Sequence, residues 1–192
     1  MGLPTHGTAG SMPEETLARG TSAFDDEFLA GSDLSDFQRE VARKLLSLAE
    51  TLPAGSLSAR AAIGRLAWPS GLTLLVNFVP RDETCAEMTI YIGRNTFVHI
   101  GAGSATTFGL PNDVWDQRAK DVPGLTEKIV DSVATGNLRE TIHYCGDTVV
   151  RSESVLDVDG VPVSVDRTDV GVVLRGVFRK RTRREVAYPP YC

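Results

Sequence analysis

The clearest helical spacing in the chain lies between residues 35 and 52, where Phe37, Val41, Leu45, Leu48 and Leu52 form one apolar stripe. Ser35 and Gln38 stand at capping-box spacing before it, Glu40 and Lys44 are placed to pair across one turn of its outer face, and Pro53 followed by Gly55 ends it. A shorter helix is predicted over 58–66, stopped by Pro69 and Gly71. A third starts at Asp121-Val122-Pro123, runs through Leu125, Ile129 and Val133 and closes at Gly136-Asn137, and residues 111–120 are expected to add a helical turn.

Between and after these segments the pattern has the two-residue period of strands. Residues 72–79, 85–92 and 96–100, separated by turn-forming residues at 80–83 and 93–95, predict an antiparallel meander. In the second of these, Ala86, Met88, Ile90 and Ile92 alternate with Cys85, Glu87, Thr89 and Tyr91, so one sheet face is expected to be buried and the other open. Strands follow over 138–145, 148–158, 161–165 and 170–179, with Asp159-Gly160 as a hairpin turn. The order predicts an α+β fold: a mainly antiparallel β-sheet of about six to seven strands with two or three helices packed on one face.

Residues 1–31 are rich in Gly, Thr, Ser, Pro and Ala, lack sustained periodicity, and read as a flexible N-terminal leader. Within them Phe24, Phe28 and Leu29 are expected to dock as a turn of helix. One domain is then expected over 32–186, with a tail at 187–192.

The 192 residues suit a single core, and 42% hydrophobic with 23% charged residues is ordinary globular composition. The longest apolar runs are too short to cross a bilayer, and no secretion signal is evident, so membrane association is not expected and the cytoplasm is the expected location. Three cysteines at wide spacing, without a C-x-x-C pair, point to a reducing compartment and to no metal site or cofactor.

Charge sharpens the picture. The net charge is −5, yet residues 175–184 hold six of the chain's 20 Lys and Arg residues and none of its 25 Asp and Glu. Arg175, Arg179, Lys180, Arg181, Arg183 and Arg184 therefore form a possible polyanion-binding run, and nucleic acid is a possible partner. The same run also suits a charge-protected edge strand.

Candidate chemistry is sparse. Gly101-Ala102-Gly103 begins like a nucleotide-binding turn but lacks the third glycine of that fingerprint and a helix behind it, so 101–109 reads as a surface loop from which Ser104, Thr106 and Thr107 can touch a partner. Asp157, Asp159, Asp166 and Asp169 read as turn residues. By strand alternation Leu138, Ile142 and Tyr144 face the core, while Tyr91, Phe97, His99, Arg139, His143 and Cys145 share the open face if the two strand groups are neighbours in one sheet. Spacing of roughly 7 Å between His143 and Cys145 along a strand disfavours direct proton transfer. The six residues read better as a contact surface. The leading expectation is a non-enzymatic protein-binding module of immunity, chaperone or adaptor type; the alternatives are a nucleic-acid-associated protein and a small Cys/His-dependent enzyme.

Overall fold

The computed structural model describes residues 22–66, 71–95, 97–110, 121–168 and 181–192. Its elements are β1 (Ser22–Ala23), α1 (Asp26–Gly31), α2 (Asp36–Thr51), β2 (Leu57–Leu66), β3 (Gly71–Pro80), β4 (Met88–Gly93), β5 (Val98–Ala102), β6 (Thr106–Leu110), α3 (Val122–Ala134), β7 (Leu138–Cys145), β8 (Thr148–Val158), β9 (Val161–Thr168) and β10 (Arg181–Ala187). The α+β class holds. The strands, however, divide into two sheets where one was expected: a six-stranded meander β1-β2-β3-β4-β5-β6, and a four-stranded sheet in the order β10-β7-β8-β9.

Register explains the core of the first sheet. Leu74, Ile92, Val98 and Leu110 lie abreast across β3 to β6, and the next inward row is Val76, Ile90, Ile100 and Phe108. All eight are essentially inaccessible to water, each contributing on the order of 1.5–3 kcal/mol by leaving it. Helix α2 covers this face with Val41, Leu45 and Leu48, and α3 with Ile129, Val130 and Val133, in one continuous core. Leu138, Leu156, Val158 and Val163 of the second sheet join that same core.

The capping box of α2 forms as the spacing predicts: the Gln38 amide N–H donates to Ser35 Oγ, and the Ser35 N–H donates to Gln38 Oε1. Gln38 is buried, and its Nε2 donates to the carbonyls of Leu72 and Ile92 at 3.2 and 2.9 Å, which pins the start of the helix to β3 and β4. Lys44 pairs with Glu127 of α3 at 2.9 Å rather than with Glu40, so the charge pair ties two helices together.

Residues 22–31, expected within the leader, pair with β2 and continue into α1. Phe24 and Leu29 are buried in the core, in keeping with docking of the cluster. Residues 188–192, expected as a tail, are anchored by buried Tyr188 and Tyr191. The helix expected over 58–66 is strand β2. Ala59, Ala61 and Ile63 face inward opposite Phe78, Val76 and Leu74, so pairing with β3 overrides the helical preference of an Ala- and Arg-rich segment. The loop expected over 101–109 contains β6, whose Thr and Gly content hid its alternation. The helical turn expected at 111–120 and the strand at 170–179 lie outside the described residues.

Candidate functional site

The outward row of the first sheet runs Ala62, Leu75, Tyr91, His99 and Gly109 across β2 to β6. Tyr91 and His99 are direct cross-strand partners with ring centroids 6.1 Å apart. Phe97, which precedes β5, stacks on the other side of His99 at 6.3 Å and 20°. Its carbonyl accepts from Gly93 N–H at 3.0 Å, which fixes the approach of the chain to the strand. All three rings are half-buried, and burial pushes the Tyr91 phenol above its ordinary pKa. Gly101 and Gly109 lie beside His99 on the same face, and Gly109 is buried, as are Ala62 and Leu75 at the other end of the row. The result is a half-buried platform of two aromatic rings and an imidazole on the sheet, with Tyr91 tilted 39° from His99.

Arg139, His143 and Cys145 do not join that platform, because β7 belongs to the second sheet. Arg139 is exposed and His143 half-buried, but Cys145 is buried. A register shift between His143 and Tyr144 breaks the alternation, so His143 and Cys145 do not stay on one open face, and Tyr144 is half-buried rather than in the core. Cys85, expected on the open face of the first sheet, is buried ahead of β4, where its thiol donates to the Pro190 carbonyl at 3.4 Å.

The outward face of the second sheet is a lattice of opposite charges. Arg183, His143 and Arg151 lie abreast, next to Glu185, Thr141, Glu153 and Asp166. Arg151 binds Asp166 through two nitrogens, at 3.2 and 2.6 Å, and lies 3.1 Å from Glu153; Arg183 binds Glu185 at 2.6 Å. His143 Nε2 stands 3.5 Å from Glu153 Oε1 and makes no hydrogen bond among the described residues. Part of the basic run is thus already compensated within the protein. Arg181, Arg183 and Arg184 are exposed on β10, which among the described residues lies at one end of the second sheet; Arg175, Arg179 and Lys180 lie outside the described residues. A cleft of about 320 Å³ opens beside the register shift, with His143, Cys145, Arg151 and Arg181 in its wall. Among the described residues, no group of three or more His, Cys, Asp or Glu is arranged to hold a metal ion.

No protein-family model matches the chain, and no curated protein or solved structure matches it either.

A second cluster, unread in the sequence, joins the two sheets. Glu140 sits at an inward position of β7 and is buried. Its Oε1 accepts from Ala105 N–H at 2.9 Å and from the Thr106 hydroxyl at 2.5 Å; its Oε2 accepts from Ser104 N–H at 3.0 Å and from the Tyr188 hydroxyl at 2.5 Å. Thr106 also contacts Ser154 of β8 at 2.5 Å. The turn 103–105, expected to be free at the surface, is thereby fastened to the second sheet. A signal was present: Glu140 has the parity of Leu138 and Ile142 in a strand whose other inward residues are apolar, and a carboxylate at such a position needs donors.

Proposed function

We propose that this protein is a non-enzymatic binding module that offers the outer face of its six-stranded sheet, around Tyr91, Phe97 and His99, to a protein partner. The observation that carries the reading is the aromatic platform itself. Three half-buried rings lie side by side on a sheet whose opposite face is filled by core side chains, so the platform is held rigid before any partner arrives. Aromatic side chains of this kind give large contact area at low entropic cost, and they concentrate binding energy at protein interfaces. An immunity-type, chaperone-type or adaptor role suits such a surface, since complementarity of shape and charge suffices for it.

The test is retention of cellular proteins by the tagged chain at physiological salt, with and without nuclease, beside a variant carrying Tyr91→Ala, Phe97→Ala and His99→Ala. A stoichiometric protein that survives nuclease and is lost with the variant supports the reading. Equal retention by a well-folded variant contradicts it. Loss of everything on nuclease treatment would transfer the role to the arginines of β10 and the preceding basic residues.

A further inference from the structure

Residues 188–192 form a strap across the junction of the two sheets and the end of α3. Tyr188 reaches Glu140 and Ser104 with its hydroxyl. Tyr191 donates its amide N–H to the Ala134 carbonyl at 2.8 Å and its hydroxyl to the Ala86 carbonyl at 2.5 Å. Between these anchors Pro190 packs on Gly136, and its carbonyl accepts the Cys85 thiol at 3.4 Å. Cys192 follows Tyr191 immediately, so the strap brings an exposed thiol to the neighbourhood of a buried one that is more than a hundred residues away in sequence. The Cys85 thiol is pushed up first by burial, then by Asp82, and then by Cys192. Cys145, on the second sheet, has no part in this arrangement.

We propose that Cys85 and Cys192 are a dithiol pair that a small-molecule disulfide, such as glutathione disulfide, converts to an intramolecular disulfide that locks the strap in place. The order of events follows from exposure. The Cys192 thiolate attacks one sulfur of the oxidant, the oxidant's S–S bond breaks, and one glutathione thiolate leaves. Cys85 then loses its proton to solvent and attacks Sγ of Cys192, and the mixed disulfide releases the second glutathione thiolate. Two protein thiols are oxidised, one disulfide is reduced, and both departing thiolates take up protons from water. Tyr191, held by its N–H and its hydroxyl, is the residue next to Cys192, and closing the link requires Cys192 to come within the Cα separation of about 4.4–6.8 Å of Cys85 that a disulfide needs.

The experiment uses the full chain in glutathione buffers of rising disulfide content, quenched in acid, alkylated after unfolding, and mapped by mass spectrometry. Expected are the simultaneous loss of two alkylatable thiols, a linked pair of peptides containing Cys85 and Cys192, full alkylation of Cys145, and a thermal midpoint higher by about 5 °C or more in the oxidised protein. Cys192→Ser, an exposed change, should abolish both the link and the upward shift. Cys85→Ser should stop at glutathione attached to Cys192. Accumulation of glutathione on Cys192 of the unaltered chain with Cys85 still a thiol, or a link that includes Cys145, would overturn the proposal.

Discussion

The cluster around Glu140 and the cluster around Tyr91 are built from similar parts, an aromatic ring beside polar groups on a strand, and their surroundings give them opposite roles. At Glu140 the carboxylate is buried and both oxygens are filled by donors from the turn 103–105, from β6 and from the strap. A site so fully satisfied holds the two sheets together and has little capacity left for a ligand. At Tyr91 the rings are half-exposed, while Ala62, Leu75 and Gly109 in the same outward row are buried. Burial with complete hydrogen bonding marks structure, and on the function proposed above partial burial on a rigid base is what the contact face uses.

The largest expected effect comes from Glu140→Ala, which removes the acceptor of four hydrogen bonds; Ser104 N–H keeps the Tyr188 hydroxyl and Thr106 keeps Ser154, while Ala105 N–H and the Tyr188 hydroxyl proton lose theirs. At about 1–3 kcal/mol for each buried group left unpaired, less what water recovers, a loss of roughly 3 kcal/mol or more is expected as a lower urea midpoint. Glu140→Gln should lose less, because the amide oxygen still accepts.

Gly103→Ala comes next. Gly103 has φ +61°, and a Cβ there would stand 2.7 Å from the Tyr188 ring and hydroxyl, so backbone strain and a clash act together. A loss of about 1–3 kcal/mol is expected in thermal unfolding, with the binding face unaltered.

A smaller effect concerns alkaline pH. Burial, followed by the hydrogen bond to Glu140, pushes the Tyr188 phenol up to about 12 from an ordinary value near 10. The folded state therefore favours the protonated phenol. That contribution is complete below about pH 10 and is lost as pH rises toward 12. In Tyr188→Phe the pH dependence of stability across this window should flatten, apart from what Tyr191 adds, since burial raises its phenol too. At neutral pH the same variant should cost about 1 kcal/mol. A Tyr188→Phe chain with an unchanged alkaline profile would place the effect elsewhere.

Arg151→Ala stands at the small end. Its pairs with Asp166 and Glu153 are exposed, so the urea midpoint is expected to change least of the variants named, and less still in high salt.

The legible parts of the sequence were those where local pattern and tertiary environment agree. The capping box and stripe of α2, the Asp121 start of α3, strands β7 and β8, and the hairpin at Asp159-Gly160, where both residues take positive φ, all follow from short-range rules. Strand β2 was hidden because Ala59, Ala61 and Ala62 favour helix, and only the facing β3 makes their alternation meaningful. The division into two sheets was hidden because it depends on which strands pair across the intervening helix, and spacing does not encode that. The candidate face was half legible: Tyr91, Phe97 and His99 do adjoin, while a one-residue register shift separates the fates of His143 and Cys145. Long-range contacts also decide Cys85, whose burial depends on a strap more than a hundred residues away.

The most direct test of the central claim measures two quantities on one variant, Tyr91→Ala with Phe97→Ala and His99→Ala: affinity for the partner retained by the unaltered chain, and the urea midpoint. The account predicts at least a hundredfold weaker binding, about 2.7 kcal/mol or more, as expected when an aromatic centre of an interface is removed, with a stability loss of only about 1–2 kcal/mol. Unchanged affinity in a folded variant, or unfolding on the scale expected for Glu140→Ala, would show that the rings serve the fold and that the binding face lies elsewhere.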